Sequence, residues 1–300
     1  MDLFKSITDN KLVSNVKSVQ QMMKTVANLT ALISDNKVSN SVKEMLRGLR
    51  DVISEKPNIT AVNHYINHFL LKLEPENQPI VIKELLEVFH ERWKNVDRKT
   101  AEVASKEFDF ENKTMLLFGN DINIQSLIEL LDVQQKKFNL IQVISKQDKI
   151  GKEQAKIIAD KGLKIKVIDD AGIGKFLGQI DVVLFGCDLI MNDVTICNSG
   201  AHLITSAAKT YSIPVFVLGD SRKILNKKFF SQSIVESLIG KDKKPGSQLW
   251  KDAPENVDVI FNHIEELPNH LITKFILEKE AYTYNELNDK IEKVLVANFF

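Results

Sequence analysis

The sequence predicts an α/β protein in which a helical N-terminal part precedes an open sheet of mostly parallel strands. Apolar residues from Ser14 to about Val103 recur at intervals of three and four, the spacing that places them on one face of a helix. After Phe110, short apolar runs alternate with helical stretches, the order typical of parallel strands joined by crossover helices. The 300 residues, 44% of them hydrophobic, are enough for one large domain or two smaller ones.

Four apolar stripes predict four helices in the N-terminal third. They cover residues 16–33, 42–53, 62–73 and 82–96. The second stripe ends before Lys56-Pro57 and the third ends at Pro75, because the residue preceding a proline is disfavoured in the helical conformation. We therefore predict an N-terminal helical bundle over residues 1–110.

Six apolar runs predict the strands of a second domain. The runs are predominantly apolar rather than strictly alternating, so helices are expected on both faces of the sheet. This pattern predicts a doubly wound, mostly parallel, Rossmann-like domain over residues 111–300, in which ligands bind at the carboxyl ends of the strands. Leu267 to Phe300 returns to helical spacing, and its two terminal phenylalanines are expected to dock on the body or on a partner subunit. The predicted strands are Met115–Phe118, Leu140–Ile144, Ile165–Ile168, Val182–Phe185, Val215–Leu218 and Val257–Phe261.

Charge and composition exclude several classes of protein. The 40 Lys and Arg residues balance 40 Asp and Glu, and zero net charge removes the general attraction to DNA or RNA. The apolar runs are far shorter than the roughly 20 residues that span a bilayer. The N-terminus lacks the apolar core of a secretory signal, so we expect a cytoplasmic protein. The two cysteines and six scattered histidines lack metal-ligand spacing, and we expect neither a metal nor a cofactor.

The stretch from Asp181 to Asp220 carries the polar residues best placed for chemistry. A predicted strand ends in Gly186-Cys187-Asp188, and Asn198-Ser199-Gly200 opens a helix whose first amides would face a ligand anion. Asp188 has two interpretations, a carboxylate that caps nearby amides or a ligand-facing group at a strand end. Cys197 precedes the helix start, where a thiolate would be favoured, whereas burial would leave it inert.

At these residues the sequence resembles a known family. It comprises the alpha, beta and delta subunits of eukaryotic translation initiation factor 2B together with the methylthioribose-1-phosphate and ribose-1,5-bisphosphate isomerases. The family has a strand followed by Gly-Ala-Asp, then Asn-Lys-Ile-Gly-Thr, a helix containing Ala-Lys and a Pro-led strand. The resemblance covers nearly the whole chain in a shared order. The matching segments are Lys56-Pro57-Asn58, Asp170-Ala171, Gly186-Cys187-Asp188, Asn192-Asp193, Asn198-Ser199-Gly200, Ala208-Lys209, Ile213-Pro214, Asp220-Ser221-Arg222-Lys223 and Leu267-Pro268 to Thr273.

The departures from that family bear on catalysis. Its isomerase members use the cysteine of Thr-His-Cys-Asn and the aspartate of Gly-Ala-Asp to move a proton or hydride on an open-chain sugar phosphate. Here Gly119 stands at the cysteine position and Asn120 follows it, while Asp188 is retained. Ser199 replaces the family's lysine, and Lys146 replaces an arginine, so a lysine point charge stands where a bidentate guanidinium would hold phosphate.

The resemblance therefore implies a regulatory subunit without isomerase chemistry. It would bind a sugar phosphate or nucleotide, assemble as a homodimer or hetero-oligomer, and require neither DNA nor a membrane. The expected ligand-binding residues are Gly119, Asn120, Asp188, Asn198, Gly200, Lys56 and Lys146.

Two alternatives remain open. In the first, the protein is an aldose-ketose isomerase acting on a phosphorylated ribose, with Asp188 as its catalytic base and His202 as the only titratable donor near the motif. In the second, it is a scaffold whose pocket is filled by large side chains such as Phe118.

Overall fold

The computed structural model describes residues 91–145, 150–226 and 246–293, together with Glu84 and Val88. Most of the predicted N-terminal bundle lies outside these residues, as do the last seven residues of the chain. Val96–Val294 forms one compact unit, and the description below concerns that unit. The predicted boundary near residue 110 stays a prediction.

The described part of the unit contains a seven-stranded sheet, a three-stranded sheet and five α-helices. Short 3₁₀ turns complete the connections, notably Asp170–Lys175 and Leu177–Gln179 between the third and fourth strands. The helices are Val96–Glu107 (α1), Ile122–Val133 (α2), Ile150–Ala159 (α3), Ala201–Thr210 (α4) and Tyr284–Lys293 (α5). The strands are Lys113–Phe118 (β1), Phe138–Val143 (β2), Lys166–Ile168 (β3), Val182–Gly186 (β4), Leu189–Ile190 (β5), Val194–Asn198 (β6), Val215–Leu218 (β7), Ile264–Pro268 (β8), Lys274–Ile276 (β9) and Ala281–Tyr282 (β10).

The large sheet confirms the predicted α/β class. Its strand order is β10-β9-β7-β4-β1-β2-β3, and every pair is parallel except β9 with β10. The chain runs outward from β1 through β2 to β3, then returns to the other side of β1 and continues outward from β4. The order therefore reverses between β1 and β4, which is where an open α/β sheet opens a crevice at its strand ends.

Both faces of the central strands of the sheet are buried, as the continuous apolar runs predict, whereas the edge strand β3 is largely exposed. Met115 and Leu117 of β1 belong to a core shared with α1, α2 and α3, while Leu116 and Phe118 belong to a second core shared with α4 and α5. Alternate residues of one strand thus enter opposite cores, because successive side chains of a strand point to opposite faces. Helix α1 is fixed further by Thr100, whose hydroxyl donates a hydrogen bond of 3.1 Å to the Gly219 carbonyl.

The C-terminal part of the unit differs from the sequence prediction. Five of the six predicted strands are present, but Val257–Phe261 is not a strand, and Val257 and Ile260 are 41% and 68% exposed. The strand lies a few residues later, at β8, and pairs antiparallel with β6. The prediction that the tail is helical from Leu267 is wrong before Tyr284, because the chain there forms β9 and β10. Among the described residues, no helix combines the length and apolar character needed to cross a membrane.

Candidate functional site

The predicted site lies where the strand order of the large sheet reverses. Strands β1 and β4 are parallel neighbours with Phe118 opposite Phe185, so Gly119 and Gly186 lie side by side at the carboxyl ends of these strands. Asp188 follows after two residues, and its amide donates a hydrogen bond of 2.9 Å to the Ile196 carbonyl of β6. The carboxyl ends of two central strands and the hairpin β5–β6 therefore meet at this place.

Gly119, Asn198 and Gly200 converge there. Gly119 has φ +77°, and a Cβ added to it would lie 2.6 Å from Asn198 Nδ2. Gly200 has φ +108°, and a Cβ added to it would lie 3.1 Å from the Phe118 ring. The backbone at the family's cysteine position therefore has a conformation that disfavours a side chain, and an added Cβ would require the Asn198 amide to move. Phe118 itself is buried and packs edge-on against Phe185.

A chain of buried amides holds the Gly119 turn in place. Gln142 Nε2 donates to the Gly119 carbonyl at 3.2 Å, Gln154 Nε2 donates to Gln142 Oε1 at 2.9 Å, and the Asp121 amide donates to Gln154 Oε1 at 2.9 Å. Both glutamines are fully buried. Because buried polar groups are costly when unpaired, this network defines one conformation of the turn.

Asn120 is hydrogen-bonded to helices α2 and α3. Its Oδ1 accepts a bond of 2.7 Å from Gln125 Nε2, and its Nδ2 donates to Glu153 Oε2 at 3.4 Å. Both donor and acceptor sides of the amide thus have protein partners. The amide retains one further N–H and one further lone pair with which it could contact a ligand.

Lys223 connects the ends of three adjacent strands. Its Nζ donates to the Cys187 carbonyl at 2.6 Å and lies 3.5 Å from Asp121 Oδ2. Burial alone would lower the pKa of Lys223, but Asp121 and the nearby charges, including Asp188 and Asp220, outweigh it and raise the pKa above its usual value. The ammonium therefore stays charged and neutralises the carboxylates around it.

A second buried ion pair adjoins this lysine. Arg222 donates to both carboxylate oxygens of Asp220, at 2.7 and 2.9 Å, and both side chains are 4% exposed. Burial alone would raise the pKa of Asp220, and the charge and hydrogen bonds of Arg222 outweigh it and hold the pKa at about 2. The pair fixes the turn that delivers Lys223 to the strand ends.

Neither cysteine is suited to nucleophilic chemistry. Cys187 and Cys197 are both buried in the core on the α4 side of the sheet. Burial raises the pKa of the Cys187 thiol to about 12 and raises that of Cys197 well above its usual value. At neutral pH both remain thiols, and it is the thiolate that attacks an electrophile.

The N-terminus of α4 is occupied by a carboxylate of the chain itself. Glu265 Oε1, on β8, accepts hydrogen bonds from the Gly200 amide at 2.9 Å and the His202 amide at 2.7 Å. The register brings Glu265 there, because it lies opposite Cys197 in the antiparallel pair of β8 with β6. His202 itself is exposed.

The structure thus assembles part of the predicted residue set. Gly119, Asn198 and Gly200 lie together, with Asp188 in the electrostatic surroundings of Lys223 and both thiols. Lys56 and Lys146 lie outside the described residues. Within the described ranges, no group of three or more His, Cys, Asp or Glu side chains is arranged to hold a metal ion.

Sequence reasoning missed three residues of the site. Lys223 was visible within Asp220-Ser221-Arg222-Lys223, but nothing in the pattern showed that its side chain reaches back to Cys187 and Asp121. Asp121 could have been identified as a helix cap, since it directly precedes the apolar stretch of α2 and accepts from the Asn123 amide. Glu265 has no local pattern that marks it as a site residue, because the apolar pattern predicts a strand at Val257–Phe261 and not at β8.

Comparison with known proteins links this chain to one family. Residues 8–283 match the Initiation factor 2 subunit family. Translation initiation factor eIF2B subunit alpha of Dictyostelium discoideum is 24% identical over 202 residues, a match covering 65% of this chain and 63% of that protein. The matched region therefore spans a little under two thirds of that relative. Ribose 1,5-bisphosphate isomerase of Archaeoglobus fulgidus is 21% identical over 80% of this chain and 81% of that enzyme.

Solved structures show the same fold. The translation initiation factor eIF-2B of Pyrococcus horikoshii superposes with a TM-score of 0.74 at 15% identity, covering 94% of this chain and 95% of that one. The 5-methylthioribose 1-phosphate isomerase of the same organism has a TM-score of 0.75 at 12% identity, covering 98% of this chain and 87% of that one. Both the initiation factor and the isomerase branch are thus represented among its relatives. On the match over residues 8–283, this chain belongs to the Initiation factor 2 subunit family.

Proposed function

We propose that this protein is a non-catalytic, cytoplasmic member of its family, a pseudo-isomerase that acts by assembling with itself or with related subunits. A phosphorylated small ligand, a sugar phosphate or a nucleotide, would bind at the strand ends as a regulator. The observation that carries the proposal is the absence of a thiol at Gly119, where the resemblance to the isomerases implies the catalytic cysteine.

The surroundings of Gly119 support the loss of that chemistry. Its positive φ disfavours any other residue, and an added Cβ would displace the Asn198 side-chain amide. The two cysteines of the chain are buried, with pKa values raised far above neutrality. A relocated nucleophile would also have to face Asp188, and a displacement of about 1 Å already costs on the order of a hundredfold in rate.

The backbone contacts at the strand ends support a structural role for the turn that carries Asp188. Lys223 bonds the carbonyl immediately before it, and the Asp188 amide is bonded to β6. Asp188 therefore lies on a turn that is held by both a strand and an ammonium group. This arrangement stabilises the fold. It does not supply the acid and the base on opposite sides of a substrate that an isomerase would need.

The direct test combines turnover, binding and association measurements on the full chain. Ribose-1,5-bisphosphate and methylthioribose-1-phosphate are each incubated with the purified protein, and NMR follows the appearance of the ketose. Calorimetry with the same compounds measures binding, and sedimentation velocity over a range of concentrations measures association. We expect no ketose, a heat of binding for at least one phosphorylated compound, and a species larger than the monomer.

Each result bears on a different part of the proposal. Ketose formation that is lost in Asp188→Asn would establish the isomerase alternative and refute the pseudo-isomerase assignment. A monomer at all concentrations, alone and when mixed with a related subunit, would refute the assembly role. Association without binding of any phosphorylated compound would support the scaffold interpretation and would refute the proposal that a ligand regulates the protein.

A further inference from the structure

The carboxylate of Glu265 accepts hydrogen bonds from the amides that an anionic ligand would use at the first turn of α4. Both hydrogen bonds that it accepts come from amides at the first turn of the helix, Gly200 at 2.9 Å and His202 at 2.7 Å. Amides at this end of a helix point outward and carry the positive end of the helix dipole, which is why phosphates and carboxylates are bound there. The carboxylate of Glu265 already accepts hydrogen bonds from two of these amides.

We propose that Glu265 determines the specificity of the strand-end site by excluding phosphate from the α4 terminus. A phosphate would have to displace a carboxylate that is held by two amides and would approach its negative charge. This inference deepens the proposed function and rests on it only in assigning the ligand to this site. The phosphate of a bound ligand therefore lies away from α4, and the group that faces Glu265 is a hydroxyl or another hydrogen-bond donor.

The position of Glu265 is fixed by the sheet rather than by a flexible side chain alone. Glu265 pairs with Cys197 of β6, which lies three residues before Gly200. Strand β6 and the first turn of α4 therefore belong to one continuous segment, and β8 is paired with the beginning of that segment. The Ser199 amide also donates to the His263 carbonyl at 2.7 Å, two residues from Glu265. Backbone bonds on both sides therefore hold the carboxylate against α4.

Packing at Gly200 restricts the same place from a second side. The Phe118 ring lies against Gly200, where a Cβ would be 3.1 Å from its edge. Phe118 is buried and in contact with the core beneath α4. The helix terminus is thus bounded by an aromatic ring on one side and a carboxylate on the other.

The test uses inorganic phosphate and ribose 5-phosphate as probes on the full chain. Wild type, Glu265→Ala, Glu265→Gln and the control Glu266→Ala are titrated with each probe, and binding is followed by ³¹P and ¹H–¹⁵N NMR. Glu266 is the matched control because it is the next residue of the same strand, carries the same charge and points to the opposite face.

We expect Glu265→Ala to bind phosphate about fivefold or more tightly than wild type, with the Gly200 and His202 amide signals shifting. Glu265→Gln should gain less, because its amide oxygen still accepts from the helix, and Glu266→Ala should behave as wild type. Phosphate that shifts the Gly200 and His202 amides of the wild-type protein would overturn the proposal, as would a folded Glu265→Ala that gains no binding. Should the alanine variant not fold, the wild-type titration decides by itself.

These results are distinct from those that test the proposed function. The Glu265 variants report on where a phosphate binds, whereas turnover and association report on what the protein does. Ketose formation by wild type would refute the pseudo-isomerase assignment and leave the Glu265 result standing. Equal phosphate binding by wild type and Glu265→Ala would refute only the role of Glu265.

Discussion

Substitution of Gly186 by alanine tests whether the strand ends are as tightly arranged as described. The added Cβ would lie 2.0 Å from Asp121 Oδ2 and 2.6 Å from Asp121 Cβ, so the aspartate has to move. Its carboxylate caps α2 through a bond of 2.8 Å from the Asn123 amide and pairs with Lys223, and both partners of that pair are less than a fifth exposed.

The magnitude follows from the interactions that the displaced carboxylate gives up. Loss of a helix cap costs about 1 kcal/mol. Removing one partner of a buried pair costs about 3–5 kcal/mol, but here Lys223 retains its bond to Cys187 and other carboxylates nearby. We expect Gly186→Ala to lower the free energy of unfolding by about 3 kcal/mol.

Urea denaturation followed by circular dichroism measures the change, with Gly178→Ala as the control. No atom outside its immediate neighbours lies within 4 Å of a Cβ added at Gly178, so that variant should lie within about 0.5 kcal/mol of wild type. A double-mutant cycle isolates the cause: in an Asp121→Gly background the atoms that clash are gone, and Gly186→Ala should cost less than about 1 kcal/mol. Equal costs in both backgrounds would refute the argument.

Three further predictions concern the same region. Gly119→Cys should destabilise the protein by about 1–2 kcal/mol through its positive φ and should not produce ketose, as measured by urea denaturation and NMR turnover. Because the pKa of Asp220 falls from 3.8 unfolded to about 2 folded, its pairing with Arg222 stabilises the protein above pH 4, and about 2 kcal/mol is lost as the pH falls toward 2. Urea midpoints measured against pH should show this loss, and Asp220→Asn should abolish it. Cys187 and Cys197 should resist a disulfide reagent at pH 8 and react only in urea, and fast labelling of the native protein would contradict their burial.

The sequence predicted five of the seven strands of the large sheet from their apolar runs, whereas β9 and β10 lie in the segment that was predicted to be helical. Runs such as Val182 to Phe185 are apolar at every position, which is the pattern expected of a strand that is buried on both faces. The same burial made the strand ends predictable, since Gly119 and Gly186 directly follow apolar runs. The order of the motifs then placed Asn198 and Gly200 beside them.

The small sheet and the site contacts were not predictable in the same way. Strand β8 has two glutamates within five residues, whereas the run just before it is more apolar and yet exposed. A strand that is stabilised by pairing with β6 needs no apolar pattern of its own. Glu265 and Lys223 act through long-range contacts, and such contacts leave no local spacing to detect.

The order of the strands also has a consequence for how the chain folds. Strands β1, β2 and β3 follow one another with a single described helix between each pair, whereas residues 219–273 separate β7 from its parallel neighbour β9. Closing a long segment costs more conformational entropy before any contact is gained, and non-local pairings slow folding. We therefore expect the β3 side of the sheet to form early and the β9 side late. Strand β8 belongs to the late part, so the first turn of α4 acquires its carboxylate partner only near the end of folding.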